Sequence, residues 1–362
     1  MQSLQQKTNR YGWIDVAKGI AIILVVYRHV FEGLSRANLG TESFPMLEDA
    51  NIMFFSFRMP LFFMISGIFV ASSLAKRGFG WFALNKTGTI LYPFLLWGCL
   101  QITLQFIMSK YTNADRSWIS YFDLIVRPRR IDQFWYLYAL FNVSMLFALL
   151  SHWFKLQAWQ HVLLGIVLYA ASGAITVYHI ETGFVYDILH YYIFMALGSW
   201  IAQYIFRPAV EVWVKKTWVL LLLLPLFLYA NYQFLMINNS HGSANHIEYY
   251  QPALYFFIAE IGGLFMLMLS MQLNGTAVGK IFAAIGRYSL QIYVMHVLVA
   301  SLVRTVFSKF IGYTYVPVLL FICIALGMLI PMLVASIAQK KNWQWIFQWS
   351  FEKKQAPTLV TQ

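Results

Sequence analysis

The chain has 362 residues, of which 60% are hydrophobic, 18% aromatic and only 11% charged, a balance far from that of a soluble domain of this length. A formal charge of +12 invites a nucleic-acid reading, but no basic run interleaved with aromatic residues lies on a polar segment, and basic membrane flanks account for it. Cys99 and Cys323 sit in apolar stretches with neither disulfide nor zinc spacing, and no metal-ligand pattern is present.

Stretches apolar and long enough to cross about 30 Å of hydrocarbon fall near residues 13 to 31, 52 to 73, 88 to 108, 134 to 151, 159 to 177, 187 to 206, 217 to 237, 252 to 272, 281 to 303 and 315 to 338. The expected fold is all-α, a polytopic membrane protein of about ten transmembrane helices. The opening MQSLQQKTNRYGW leads into a run that contains Asp15 and Lys18 and lacks a cleavage site, so it reads as a retained first span. With the N-terminus inside, fifteen Lys and Arg fall on the cytoplasmic side and eight outside, which favours both termini in the cytoplasm. Residues 1–339 then form one membrane domain and 340–362 a cytoplasmic tail, whose Trp343, Trp345 and Trp349 between lysines suggest an interfacial helix.

The first span, DVAKGIAIILVVYRHVFE, carries Asp15 and Lys18 at one end and Arg28, His29 and Glu32 at the other. Eleven helical residues turn through about 1100°, so Lys18 and His29 lie on nearly one face about 16 Å apart. Charged groups in hydrocarbon cost roughly 2.5 to 3.5 kcal/mol each, so this stripe faces a polar interior or a wet cavity. Asp15 and Lys18 can pair with each other or anchor at the headgroups.

The second stretch, FFSFRMPLFFMISGIF, places Arg58 beside Pro60, which suggests a broken helix next to a polar cavity; a salt bridge from Arg58 to Asp15 or Glu32 is the alternative. Lys76, Arg77 and Lys86 follow at a membrane edge. The loop 109 to 133 holds Lys110, Arg116, Arg127, Arg129 and Arg130 against the insertion rule. Either an anionic ligand or lipid headgroup lies near RPRR, or Asp115, Asp123 and Asp132 offset the charge. Gln133 and Trp135 open the next span, where Trp is commonly an interface anchor. His161, His179 and His190 read as interface histidines, and Glu260 is a lone intramembrane acid. In the ninth stretch Ser289, Tyr293 and His296, at i, i+4 and i+7, form one polar stripe.

These strings resemble the bacterial membrane-bound acyltransferase-3 family. The match lies in Asp15, Lys18-Gly19 and His29, in MPLFFMISG with Ser66 and Gly67, in Gln133 and Trp135, and in Ser289, Tyr293 and His296. The aliphatic wording WIDVAKGIAIILVV is most similar to its fucose O-acetylase-like branch. Lys18 replaces the commoner Arg, Arg58 stands where His is frequent, and Gly88 takes the place of a basic residue near Lys86. The resemblance implies an O-acyltransferase of the bacterial cytoplasmic (inner) membrane that moves an acyl group, acetyl above all, from acetyl-CoA or another acyl-CoA to a cell-surface glycan or lipid-linked sugar precursor.

On that reading His29 is the base, oriented by Glu32, with an acyl-histidine intermediate as the alternative to direct transfer, Arg58 stabilising developing charge, and Lys18 with Asp15 ordering the cytoplasmic half. Lys18, Lys76, Arg77 and Lys86 are the candidates for the donor's phosphates. Ser66, Gln133, Trp135, Ser289, Tyr293 and His296 are the candidates for the acceptor's seat. Membrane lipids surround the protein and no nucleic acid is expected. A different class remains open: polar stripes also line conduits, so the alternative is an exopolysaccharide export protein or export partner.

Overall fold

A computed structural model describes residues 11–109, 116–242 and 244–350. Its helices, in order, are α1 (Gly12–Arg36), α2 (Pro45–Met53), α3 (Arg58–Lys86), α4 (Tyr92–Ile107), α5 (Ile119–Val126), α6 (Trp135–Trp153), α7 (Ala158–Val177) and α8 (Phe184–Ile205). They continue as α9 (Pro208–Val214), α10 (Thr217–Ser240), α11 (His246–Tyr250), α12 (Pro252–Leu273), α13 (Ala277–Arg287), α14 (Ser289–Thr305) and α15 (Val316–Lys340). No strand occurs among the described residues. Eight segments there are long and apolar enough to cross a membrane. The first of these, Pro45–Ile107, contains both α3 and α4. Adding α1, whose Asp15, Lys18, Arg28, Glu32 and Arg36 set it apart by composition, gives the ten long helices expected.

α1 is the hub, packing against α3, α12, α13, α14 and α15. Close approach comes from glycines on its faces. A Cβ on Gly19 would overlap the Phe282 carbonyl of α13, and one on Gly286 would overlap the Asp15 carbonyl of α1. Small residues at a crossing let membrane helices meet backbone to backbone. The α3/α8 pair uses the same device: Gly67 faces the Met195 carbonyl and Gly198 faces the Met64 carbonyl. Gly67, part of the recognisable MPLFFMISG string, thus acts in packing.

Four expectations are corrected. Pro60 does not bend a continuous helix; it lies in the first turn of α3, where its missing N–H costs nothing, and the chain breaks before it, between α2 and α3. The ninth span does not begin at 281, because α13 ends at Arg287 and α14 starts afresh at Ser289. His161 and His190 do not face outward: both are buried between α7 and α8, near Tyr192 and Ser172 respectively. The tail through residue 350 is no interfacial helix but a short turn, Gln344–Ile346, docked on α4. There Trp97 Nε1 donates to the Ile346 carbonyl at 2.7 Å and Trp97 stacks on Phe347. The lysines at 353 and 354, like Lys110 and Asp115, lie outside the described residues.

Candidate functional site

The outer-numbered half of α1 stands between two cavities. One, of about 450 Å³, is polar and bounded by Arg28, Arg58, Arg116, Arg129, Trp135, Glu248, Tyr255 and Tyr293 among others. The second, of about 510 Å³, is walled mostly by aliphatic side chains of α4 and α14. His29, Glu32, Arg36 and Asp132 line both. Sequence spacing put His29 at the end of an apolar run; the fold turns that position into the partition between a more polar cavity and a mostly aliphatic one.

Against His29 stands His296 of α14, ring centroid to ring centroid 5.3 Å. His296 is fully buried, and its Nδ1 lies 2.9 and 2.8 Å from the carbonyls of Ile292 and Tyr293. A carbonyl only accepts, so Nδ1 carries the proton and Nε2 keeps a lone pair. Among the described residues that Nε2 has no hydrogen-bond partner.

Glu32 is drawn first to Arg28, at 2.7 Å, while His29 Nδ1 and Arg36 each stand 3.9 Å from its other oxygen. The His29–Glu32 approach is therefore electrostatic at rest, beyond hydrogen-bond reach. Arg28 also lies over the Phe55 ring, 4.2 Å from its centroid.

Arg58 has neither of the carboxylate partners considered from sequence. Its Nε donates to the Phe54 carbonyl at 2.6 Å, Nη1 to Asn51 Oδ1 at 3.2 Å and Nη2 to the Asn51 carbonyl. These are the carbonyls that the end of α2 leaves without helical partners, at the negative end of its dipole. Arg58 thus caps one helix from the first residue of the next and presents its remaining face to the polar cavity.

The described part of the 109 to 133 loop, from residue 116 on, has arginines paired both locally and at long range. Arg116 meets Asp132 at 2.7 Å, and Gln101 and Gln105 donate to the same carboxylate oxygen. Arg129 meets Asp187 of α8 at 2.7 Å, Glu248 of α11 at 3.5 Å, and the face of Trp135 at 4.4 Å. Burial would lower the Arg129 pKa, but Asp187, Tyr249, Tyr191 and Glu248 outweigh it and hold the guanidinium well above its ordinary value. Its positive charge is permanent.

At the opposite end of α1, Lys18 and Lys86 lie close enough for their charges to interact, while Asp15 is buried beside Gly286. Lys76 and Arg77 do not join them. Both are exposed, Arg77 over the Trp81 ring at 4.1 Å, and the kink at Gly78, φ 75°, separates them from Lys86.

Of the acceptor candidates, Trp135 and Tyr293 line the polar cavity. Gln133 braces it from behind, donating to Gln101 Oε1 at 2.9 Å while its carbonyl accepts from the Tyr293 hydroxyl. Ser66 and Ser289 border neither cavity, nor does Glu260. Sequence reasoning missed Glu248 and Tyr255 as site residues and treated Asp132 only as an offset to loop charge. The local signal for Asp132 was its place next to Gln133 and Trp135. Among the described residues no cluster of three or more His, Cys, Asp and Glu is arranged to hold a metal ion.

With this geometry in view, the comparison with known families is decisive: the acyltransferase-3 model, described as an acyltransferase domain, matches residues 11–337. The chain belongs to the acyltransferase-3 family. A curated relative, the nodulation protein NolL of Mesorhizobium japonicum, is 27% identical over 220 residues, 60% of this chain and 54% of the relative. The chain thus matches about half the length of that protein. No solved structure matches. Membership in the family together with the apolar helices makes this a multi-pass membrane protein with an acyltransferase-3 domain.

Proposed function

We propose that this member of the acyltransferase-3 family carries an acyl group, acetyl in the simplest case, from acyl-CoA to a hydroxyl of a glycan or lipid-linked sugar at the bacterial inner membrane. The observation that carries the reading is the pairing of His29 with His296 where the two cavities meet. A neutral imidazole at His29 takes the proton of the acceptor hydroxyl as its oxygen attacks the thioester carbonyl. The new C–O ester bond forms, the C–S bond breaks, and the coenzyme A thiolate leaves with the proton that His29 carried.

His296, its Nδ1 proton committed to backbone, offers Nε2 as an acceptor toward the imidazolium that forms on His29. Arg28 and Arg58, facing the polar cavity, favour the negative charge that develops on the carbonyl oxygen. Lys18 and Lys86 supply paired positive charge at the other end of α1, suited to the donor's phosphates, and cytoplasmic termini would put that end on the side where acyl-CoA is found. Trp135, Tyr255 and Glu248 provide aromatic faces and a carboxylate, chemistry that suits sugar C–H faces and hydroxyls.

The test is release of free coenzyme A from acetyl-CoA by the purified protein with a mixed glycan extract. Turnover that His29→Ala abolishes, with folding intact, is the expected result. Wild-type protein that binds glycan yet releases no coenzyme A would overturn the reading in favour of an export role.

A further inference from the structure

The chemistry above leaves Arg304 unused. It sits in the last turn of α14, is only 8% exposed, and lines the apolar cavity. Nη1 donates to the Gly33 carbonyl at 2.8 Å and Nη2 to Ser301 Oγ at 3.1 Å. Both partners are neutral, and none of the ion pairs found among the described residues includes Arg304. Its charged neighbour among the helices is Arg36, whose charge opposes its own, while the Cys323 thiol is also near it. A buried cation without a counter-ion is costly, so the arrangement is incomplete until an anion joins it. Gly33 makes the approach possible, since a Cβ there would stand 2.7 Å from Nη1.

Arg36 completes a two-cation edge. It lines both cavities, is 60% exposed, and is loosely held, 3.5 Å from Asp132 and 3.9 Å from Glu32. Glu32 and Asp132, which hold Arg36, lie on the same edge toward His29, and much of the remaining wall is apolar, with Leu104, Met108, Leu298, Leu302 and Phe310. Leu302 of α14 is 61% exposed, and Met108 and Phe310, just beyond the ends of α4 and α14, are 43% and 74% exposed, so the cavity has an apolar mouth on the outer surface of the bundle near the ends of these helices. In the other direction it ends at His29. The order is therefore lipid, two guanidinium groups, and catalytic imidazole.

We propose that the apolar cavity seats the hydrocarbon chain of a lipid-phosphate-linked acceptor, with Arg304 and Arg36 holding its phosphate and its sugar head turned past His29 into the polar cavity. The proposal rests on the acyltransferase reading and narrows it, because the acceptor then arrives within the membrane plane instead of as a free polysaccharide. A guanidinium pair suits a phosphate through charge-assisted hydrogen bonds, and a chain lying in an apolar groove adds burial that a free sugar lacks.

The experiment measures binding of farnesyl phosphate, farnesol and inorganic phosphate to the full-length, detergent-solubilised protein by native mass spectrometry, without any acyl donor. Farnesyl phosphate should bind at least about tenfold more tightly than either other probe. Arg304→Gln should weaken farnesyl phosphate by about tenfold or more and leave farnesol unchanged. Leu298→Trp, which fills the groove and keeps both charges, should weaken farnesyl phosphate and farnesol together. Farnesyl phosphate binding that is indifferent to both variants, or equal binding of farnesol, overturns the proposal. The coenzyme A assay scores the underlying reading separately. Arg304-dependent binding without turnover leaves the lipid site standing, whereas turnover with Arg304-independent binding removes this proposal alone.

Discussion

His29 and His296 present their rings to each other at 5.3 Å with planes 49° apart, yet only His29 touches a cavity. On the proposed reading the half-buried ring of His29 meets substrate, and His296, held by two backbone carbonyls, acts through it as a positioning residue. His296→Asn should lower kcat by about 100-fold, the scale of one acid–base contribution, with KM for the acyl donor unchanged. Steady-state coenzyme A release with varied donor checks it. A variant with unaltered kcat would make His296 a packing residue.

The lysine pair at the far end of α1 predicts the opposite kinetic signature. Lys18→Gln and Lys86→Gln should each raise KM for acyl-CoA by about tenfold while kcat changes little, since a charge used equally in ground and transition states affects binding alone. Lys76→Gln and Arg77→Gln, exposed and beyond the Gly78 kink, should leave both parameters within about twofold, the weak effect expected of exposed charges. Equal effects from all four would return the phosphate site to the wider basic edge read from sequence.

How much of this was legible follows from the range of each signal. Run length alone located the long helices, because a bilayer fixes the apolar length a span needs. The charged stripe on α1 singled out His29 as a candidate without any fold. What stayed hidden depends on partners remote in the chain. Arg129 looked like excess loop charge, yet its carboxylates, Asp187 and Glu248, come from α8 and α11. Arg304, one of the eight basic residues counted on the outside, carried no further signal in the sequence, since its partner carbonyl, Gly33, comes from α1. The break between α13 and α14 was invisible to hydropathy. It accompanies the seating of Gly286 on the Asp15 carbonyl, a backbone contact with no hydrophobic signature. Arg58 and Pro60 did mark a discontinuity, but as a helix start capped across the break.

The Arg129 node predicts a stability effect with a rescue. Asp187 and Glu248 are 1% and 2% exposed, so Arg129→Ala leaves two buried acids facing each other, a loss of about 3–5 kcal/mol when one partner of a buried pair is removed. Adding Asp187→Asn and Glu248→Gln removes the uncompensated charge and should recover part of it. Thermal unfolding of the detergent-solubilised variants reads both. If the triple variant is no more stable than Arg129→Ala alone, the charge network is not what holds the loop to α8 and α11.

The glycines at the α3/α8 crossing make the last prediction. Gly67 meets the Met195 carbonyl and Gly198 meets the Met64 carbonyl, so the two contacts mirror one another across the helix pair. A methyl group at either position has only backbone to push against, and the helices must part. Gly67→Ala and Gly198→Ala should each cost about 1–3 kcal/mol, as overpacking does, and the pair together should cost less than the sum, because the first separation makes room for the second methyl. Gly80, exposed on the same helix with nothing within 4 Å of an added Cβ, is the control. There Gly→Ala removes backbone freedom from the unfolded chain and should be neutral or stabilising by up to about 1 kcal/mol. Unfolding midpoints of the four proteins decide it: additive losses at 67 and 198 would mean two independent packing sites, and a subadditive pair means one shared crossing.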